Sequence, residues 1–456
     1  MFKLAAFDTS MKDPSMDQDL CLSSRIILTP LRAGLCAGQD NSVDVLVRIQ
    51  APDSPAQEVL ARPAQAISLV IDRSGSMEGR PIAEARRCAE FVVSRLRPSD
   101  CVSVVQFDNR VQCLWPAVPL GDGDAVRGAI SRIHASGSTN LHGGWLEGAT
   151  SLANTAGSGL KRVILLSDGC ANDGETDSGE IASQCAALSA RGVTTSTYGL
   201  GNRFNEELMV AMARAGGGNH YYGDTADDLI EPFQQELDLL NNIALRQLEL
   251  SVSVADGLPV KMLNTLPATA SGWRLSDLAW GAEAWAVVQI RVPAAALPAA
   301  GDRLTVMRVS VTAQDLHGEP VVLERTGLAL SVVTPAAFAA LVDDELVRRR
   351  CDEVAAGQVL TQMRSAAEAG DWARVDQLLS DAQKAFASHE WLAGILGAMA
   401  TLAQSRSHER VMKEAMYSSA KLSWRLAARD ELSHSLSEAG GPAYLRRKRQ
   451  QGKADV

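Results

Sequence analysis

The sequence predicts a multidomain α/β + β + α protein: a doubly wound, mostly parallel α/β domain inserted in a β-sandwich and followed by a C-terminal helical bundle. Three observations carry this prediction. Between residues 66 and 242, strand-like apolar runs alternate with amphipathic helical runs, the order expected of a parallel sheet covered on both faces. On either side of that stretch, apolar and polar residues alternate with a period of two, as in half-buried antiparallel strands. From residue 335 onward the periodicity becomes helical. The chain of 456 residues is too long for one ordinary core, and its length suggests about three domains.

Taken in order, residues 1–19 are polar and aperiodic, and read as a flexible N-terminal arm. Residues 20–62 hold the first strands of the β-sandwich, at 24–29 and 42–48, and then a connection over 51–63. Residues 63–243 form the α/β domain. Strands are expected at 66–71, 101–107, 110–115, 162–167 and 194–200, and helices at 80–97, 123–134, 141–155, 179–191, 204–214 and 226–241. Residues 244–334 carry the remainder of the β-sandwich, with strands such as 247–254, 285–292 and 304–312 separated by turn residues. Two early strands cannot make a stable sheet alone, so they complete the sheet built later in the chain, which makes the α/β domain an insertion. Residues 335–440 form the helical domain, with helices at 336–369 (breaking near Gly357), 371–386, 389–404 and 407–437. No second copy at a fixed period marks a repeat array. Gly440, Gly441 and Pro442 close the bundle, and 441–456 is a basic disordered tail.

Composition narrows the function. An apolar content of 46% and a charged content of 21% are those of a globular protein. A net charge of −10 argues against bulk attraction to nucleic acid. No apolar run reaches the roughly 18 residues of a membrane span, and the apolar start of the chain is too short for a signal-peptide core. The eight cysteines include no C-x-x-C pair, so structural zinc is not expected. They read as buried reduced thiols in a cytoplasmic protein.

The chemistry concentrates at expected strand ends. Asp72, Ser74 and Ser76 directly follow the apolar run 66–71, and Asp168 follows the run 162–166. Ser138, Thr139 and Asn140 precede a helix. Ligands of doubly wound sheets bind beyond the carboxyl ends of the strands. Hard divalent cations such as Mg²⁺ take oxygen donors in near-octahedral geometry and keep water or an open position. Asp72, Ser74, Ser76, Thr139 and Asp168 are therefore the candidate metal ligands, and Met77, Ser138, Asn140, His142 and Asp173 the candidate partner-binding rim. The plainer alternative makes Asp72 and the serines caps of the helix starting near Gly79, which leaves Thr139 and Asp168 unexplained. Asp173, Glu175 and Asp177 lack EF-hand spacing and read as a solvated acidic loop that disfavours acidic partners on that side. His134 and His142 are lone histidines, for which a structural role is preferred. The basic run 446–449 reads as a solubility tail. No G-x-S-x-G elbow, P-loop or well-spaced general base is present, so the chain is not expected to be an enzyme.

With these segments in hand, residues 66–242 resemble the von Willebrand factor A domain. The five candidate ligands resemble its metal-ion-dependent adhesion site, whose signature is D-x-S-x-S, a distal Thr and a distal Asp. The flanks are similar to the bacterial calcium-activated-chloride-channel-like group, without a His-Glu-x-x-His signature. The resemblance implies a Rossmann-like fold in which 219–222 is the last strand. It implies that Ser74, Ser76 and Thr139 supply hydroxyls and Asp72 and Asp168 carboxylates to Mg²⁺ (or Mn²⁺ or Ca²⁺), some through water. The remaining position is taken by an Asp or Glu of a protein partner. Two protein carboxylates leave the ion near neutral, so a third, incoming one is still attracted. The implied function is a non-enzymatic, metal-dependent protein–protein interaction module, an adaptor or scaffold. The alternatives are a metal-dependent hydrolase, or a regulatory subunit of an AAA-type ATPase or other multiprotein system acting through the helical tail. The helix at 226–241 leads almost directly into the next strand, so that a shift of the helix is expected to tilt the sandwich.

Overall fold

The structure is a computed structural model that describes residues 24–52, 63–157, 159–168, 171–200, 205–223, 225–255, 257–424 and 427–428. The expected arm 1–19, most of the connection 51–63, the Gly440–Pro442 closure and the basic tail lie outside the described residues.

Three strands come first: β1 (Arg25–Pro30), β2 (Leu35–Cys36) and β3 (Asn41–Gln50). The α/β stretch follows as β4 (Ala66–Asp72), α1 (Arg80–Arg95), β5 (Cys101–Phe107), β6 (Val111–Pro119), α2 (Asp124–Ser131) and α3 (Leu141–Ala153). It continues as β7 (Lys161–Ser167), α4 (Ser178–Ala190), β8 (Val193–Leu200), α5 (Glu206–Ala215), β9 (Gly217–Gly223) and α6 (Ala226–Asn241). Its strands lie in the order β6-β5-β4-β7-β8-β9. All pairs are parallel except β5–β6. The chain leaves β4 toward β5 on one side and returns to β7 on the other. A crevice therefore opens at the carboxyl ends of β4 and β7, where the crossovers diverge.

β4 is buried along its whole length, and its side chains are shared between two cores. Ile67, Leu69 and Ile71 face one core with Val92, Phe233 and Leu237. Ala66 and Val70 face the other, with Trp145, Leu152 and Leu208. A strand covered on both faces needs a nearly continuous apolar run, and between Ile67 and Ile71 this one is interrupted only by the small Ser68. Helix α3 lies unusually close to the sheet. A Cβ at Gly144 would come 2.4 Å from the Phe107 ring, and one at Gly148 would come 2.4 Å from Val70 Cγ2. These two glycines let the helix sit flush against β4 and β5, which brings its N-terminus to the crevice.

After one intervening residue, α6 gives way to β10 (Ile243–Val254), followed by β11 (Val260–Met262), β12 (Trp273–Arg274), β13 (Leu278–Ala279), β14 (Ala282–Val292), β15 (Arg303–Gln314) and β16 (Pro320–Val333). One sheet has the order β1-β3-β14-β11, and a second has the order β12-β10-β15-β16-β2 with β13 on β10. β3 pairs with β14 from Asn41↔Val292 to Gln50↔Glu283. β2 pairs with β16. Residues from before and after the α/β stretch thus belong to the same sheets. Both sheets line one core, with Val45, Val47 and Ala286 from the first and Leu250, Val309 and Val311 from the second.

The remaining chain is helical: α7 (Pro335–Ala339), α8 (Glu345–Glu368), α9 (Trp372–Ala385), α10 (Glu390–Gln404) and α11 (His408–Trp424), with β17 (Ala427–Ala428) pairing onto β14. Two sequence expectations are corrected here. The first helix does not break near Gly357; α8 runs through it, and the break falls before Asp344, whose side chain accepts from Val347 N and caps the new helix. At Gly357 α11 lies against α8, where the Ser419 hydroxyl donates to the Gly357 carbonyl at 2.9 Å. The last helix is described to Trp424, and Ala427–Ala428 form a strand, so the expected helix does not run unbroken to 437; residues 429–437 lie outside the described residues. Among the described residues, no helix is long and apolar enough to cross a membrane.

Helix α8 docks on the outer face of the first sheet, where Leu46, Trp285 and Val287 meet Val347 and Val354. A charged cluster is buried in that seam. Arg350 lies 3.5 Å from Glu283 Oε1, 3.0 Å from Glu353 Oε2 and 4.7 Å above the Trp285 ring. Arg48 and Gln50 reach Glu283 from β3 at 3.5 and 3.1 Å. The bundle also touches the far edge of the α/β sheet. Tyr222 donates to Glu414 at 2.5 Å and stands edge-on to Tyr417, and Arg364 pairs with Glu207.

Candidate metal centre

The carboxyl end of β4 delivers Asp72 to the crevice, and the chain then turns through Ser74 into a short helical turn, Gly75–Met77. The neighbouring end of β7 delivers Ser167 and Asp168. The register Ile71↔Leu166 places these two ends side by side. Asp72 is fully buried, with Oδ1 accepting from Ser74 N at 2.8 Å and Oδ2 from the Ser167 hydroxyl at 2.5 Å. The Ser76 hydroxyl donates to Asp168 Oδ1 at 2.8 Å and lies 3.1 Å from Ser74 Oγ. Four of the five candidate ligands are thereby linked in one hydrogen-bonded chain from Asp72 to Asp168.

Thr139 arrives on a third segment and is buried. Its backbone is held from the β7 side: Thr139 N donates to Asn172 Oδ1 at 2.8 Å, and its carbonyl accepts from Asn172 N and Asp173 N. On the other side Gly75 N donates to the Gly137 carbonyl at 2.9 Å, tying this loop to the one that carries Ser74 and Ser76. Gly137 has φ +73, and a Cβ there would come 2.5 Å from Asn109 Oδ1, so both the turn and the close approach require glycine.

The electrostatics are uneven. Burial pushes the Asp72 carboxyl up to about 6; the hydrogen bonds from Ser167 and Ser74 oppose the rise, and the nearby Asp168 charge adds to it. Burial also raises Asp168, against the pull of the Ser76 hydroxyl. Among the described residues, no Lys, Arg or His forms an ion pair with either carboxylate. Nor do the described residues contain a group of three or more His, Cys, Asp or Glu able to hold a metal. The donor set is instead two carboxylates plus hydroxyls. Such a set fits a hard, oxygen-seeking divalent cation, and the uncompensated charge of two buried carboxylates is what that cation would neutralise.

The rim expected from the sequence is only partly at the surface. Met77 does not belong to it: the turn after Ser76 rotates the side chain inward, where it is completely buried in the core. His142 is turned away toward α4, where Nε2 lies 2.8 Å from Gln184 Oε1. Asn140 caps α3 by accepting from Gly143 N. Ser138 donates to Asp173 Oδ2 at 3.1 Å. The acidic loop faces solvent, as expected; within it Glu175 accepts from Thr176 N and Asp177 N, and Asp177 caps α4. Sequence reasoning missed the roles of Ser167, which donates to Asp72, and Asn172, which holds the Thr139 backbone. Ser167 was legible as a hydroxyl beside a strand-end carboxylate; Asn172 acts across loops distant in the chain.

Residues 66–236 match the von Willebrand factor type A domain family. YfbK of Escherichia coli is 33% identical over 198 residues, which is 42% of this chain and 33% of that protein. The chain spans less than half the length of the curated relatives it matches first. Among solved structures, a von Willebrand factor type A protein from Catenulispora acidiphila aligns with a TM-score of 0.61 at 17% identity, covering 81% of this chain and 89% of the other. The ArnB paralog VWA2 from Sulfolobus acidocaldarius aligns with a TM-score of 0.60 at 17% identity, covering 88% and 99%. These likenesses are to the fold, and they extend beyond the α/β stretch. Residues 66–236 of this chain are a von Willebrand factor type A domain.

Proposed function

We propose that the protein is a non-enzymatic adaptor that binds an acidic side chain of a protein partner through a divalent cation. Domains of this type commonly serve as protein-interaction modules. The observation that carries the reading is the pair of buried carboxylates, Asp72 and Asp168, joined through serine hydroxyls with no cationic partner among the described residues. Asp72, Ser74, Ser76, Thr139 and Asp168 would hold the ion, with Mg²⁺ first and Mn²⁺ or Ca²⁺ as alternatives. Bound there, the cation supplies a positive charge with room for one more carboxylate. The chain's own residues keep the site in shape: Ser167 and Ser74 N orient Asp72, Ser76 orients Asp168, and Asn172 fixes the Thr139 backbone. Ser138, Asn140 and Asp173 form the rim.

On this reading residues 63–243 are the interaction domain, the two mainly antiparallel sheets around it are a β-sandwich interrupted by its insertion, and 335–440 is a helical domain. The shared core of the two sheets supports that division. We place the protein in the cytoplasm, on the support of free thiols at Cys36, Cys88, Cys101, Cys113, Cys185 and Cys351. The test is affinity purification from native lysate in Mg²⁺, in EDTA, and with Asp72→Ala. Partners retained in Mg²⁺ are expected to be lost in both other arms; an identical set retained in EDTA would sink the proposal.

A further inference from the structure

We infer that Arg73 and Asp108 form a positioning pair that sets the distance between the Asp72 loop and the Thr139 loop, and so governs affinity for the cation. The inference rests on the metal reading above. Arg73 occupies the variable position between two candidate ligands, Asp72 and Ser74. Its side chain points sideways rather than into the site, with Nη2 2.5 Å from Asp108 Oδ2. Arg73 is 23% exposed and Asp108 only 3%, so the pair is partly shielded from water.

The backbones of these two residues hold three loops together. Arg73 N donates to the Phe107 carbonyl at the end of β5, and the Arg73 carbonyl accepts from Ser136 N at 2.6 Å. The Asp108 carbonyl accepts from Asn140 N at 2.8 Å, immediately after Thr139. Asp108 Oδ1 accepts from Arg110 N at 2.6 Å, closing the turn out of β5. Gly137 packs against Asp108, where an added Cβ would come 3.1 Å from its Cβ and Cγ. The loop carrying Thr139 is thus fastened at Ser136 and Asn140 to the two residues whose side chains pair. If the pair loosens, the Thr139 hydroxyl is free to drift from the four donors already linked to one another. The pair is neutral overall, so it shapes the site without altering the net charge that the cation meets.

The experiment titrates the full chain with Mn²⁺ by calorimetry and, in parallel, measures thermal unfolding in EDTA. It compares wild type, Asp72→Ala, Asp108→Asn, Arg73→Met, Arg73→Lys and the double variant Arg73→Met/Asp108→Asn. Residues that orient metal ligands from outside typically contribute about 10- to 100-fold in affinity. A loss of that size is expected for Asp108→Asn and Arg73→Met, with partial recovery in Arg73→Lys. The double variant is expected to lose no more than the worse single variant, since the two residues act through one contact. A folded Arg73→Met or Asp108→Asn that binds Mn²⁺ as wild type does would overturn the inference and leave the metal reading intact. Wild type that binds Mn²⁺ no better than Asp72→Ala overturns both. Variants that unfold in EDTA at wild-type ion affinity, or that do not fold at all, make the pair a determinant of the fold and also overturn it.

Discussion

Two of the places where this molecule buries carboxylates treat them in opposite ways. In the seam between α8 and the first sheet, Glu283 and Glu353 are met by Arg350 and Arg48. At the crevice of the α/β domain, Asp72 and Asp168 are met by hydroxyls and backbone amides. Removing an ion from water costs several kcal/mol unless an opposite charge and hydrogen bonds offset it. The seam offsets its charges from within, which is what a structural contact requires. The crevice leaves its charge open, a feature that is costly in an empty site and useful where something positive binds. Burial alone therefore does not mark function; burial without an internal counter-charge does so more strongly.

The comparison can be broken most decisively at the seam. Arg350→Met leaves Glu353 and part of Glu283 buried without their guanidinium, and is expected to destabilise the chain by about 3–5 kcal/mol in urea unfolding. Adding Glu353→Leu should recover part of that loss, because the orphaned charge is then gone. A loss below about 1 kcal/mol for the single variant would show that the seam does not depend on charge matching.

At the crevice the expected cost is much smaller. Without metal, Asp72→Asn removes an uncompensated buried charge, and in EDTA it should cost no more than about 1 kcal/mol. Wild type should gain about 2.7 kcal/mol when Mg²⁺ reaches a hundredfold excess over its Kd, and the variant should gain nothing. Equal stabilisation of both by Mg²⁺ would place the ion elsewhere.

A third buried group sharpens the contrast at smaller scale. His220 on β9 has Nδ1 2.9 Å from the Thr197 hydroxyl, and burial lowers its pKa from 6.5 to about 3. The folded state keeps it neutral, while the unfolded chain takes up the proton as pH falls through about 6.5. Its contribution is complete above that pH and is lost as pH drops from about 6.5 toward about 3, an effect on the order of a few kcal/mol. His220→Gln should flatten the acid limb of the stability–pH curve. Parallel curves for variant and wild type would exclude this histidine as a source of acid sensitivity.

Much of this organisation was legible in the residues. The buried strands β4 and β7 announce themselves as runs rich in Val, Ile and Leu, interrupted in β4 only by Ser68, and a carboxylate at the end of each is visible without any coordinates. What failed were statements about facing. Met77 sits beside Ser76 in the chain, yet a short helical turn sends it into the core. Gly357 looks like a helix breaker, but it is where α11 comes close to α8. His142 lies near the Thr139 loop in sequence and is claimed by Gln184, forty-two positions away. Periodicity reports which face of an element is apolar; it says nothing about which distant residue will meet a polar group.

The sequence by itself determined where the main elements of the α/β stretch lie and which oxygen donors stand at strand ends, because both follow from local periodicity and from the chain leaving a buried strand. Only the tertiary structure decided which buried charges are matched. Arg48, Glu283 and Arg350 come together from three remote segments, and so do Arg73, Asp108 and the loop of Thr139. Neutralisation of a buried charge is a property of that assembled surrounding, since it depends on burial and on partners that no single stretch of chain contains.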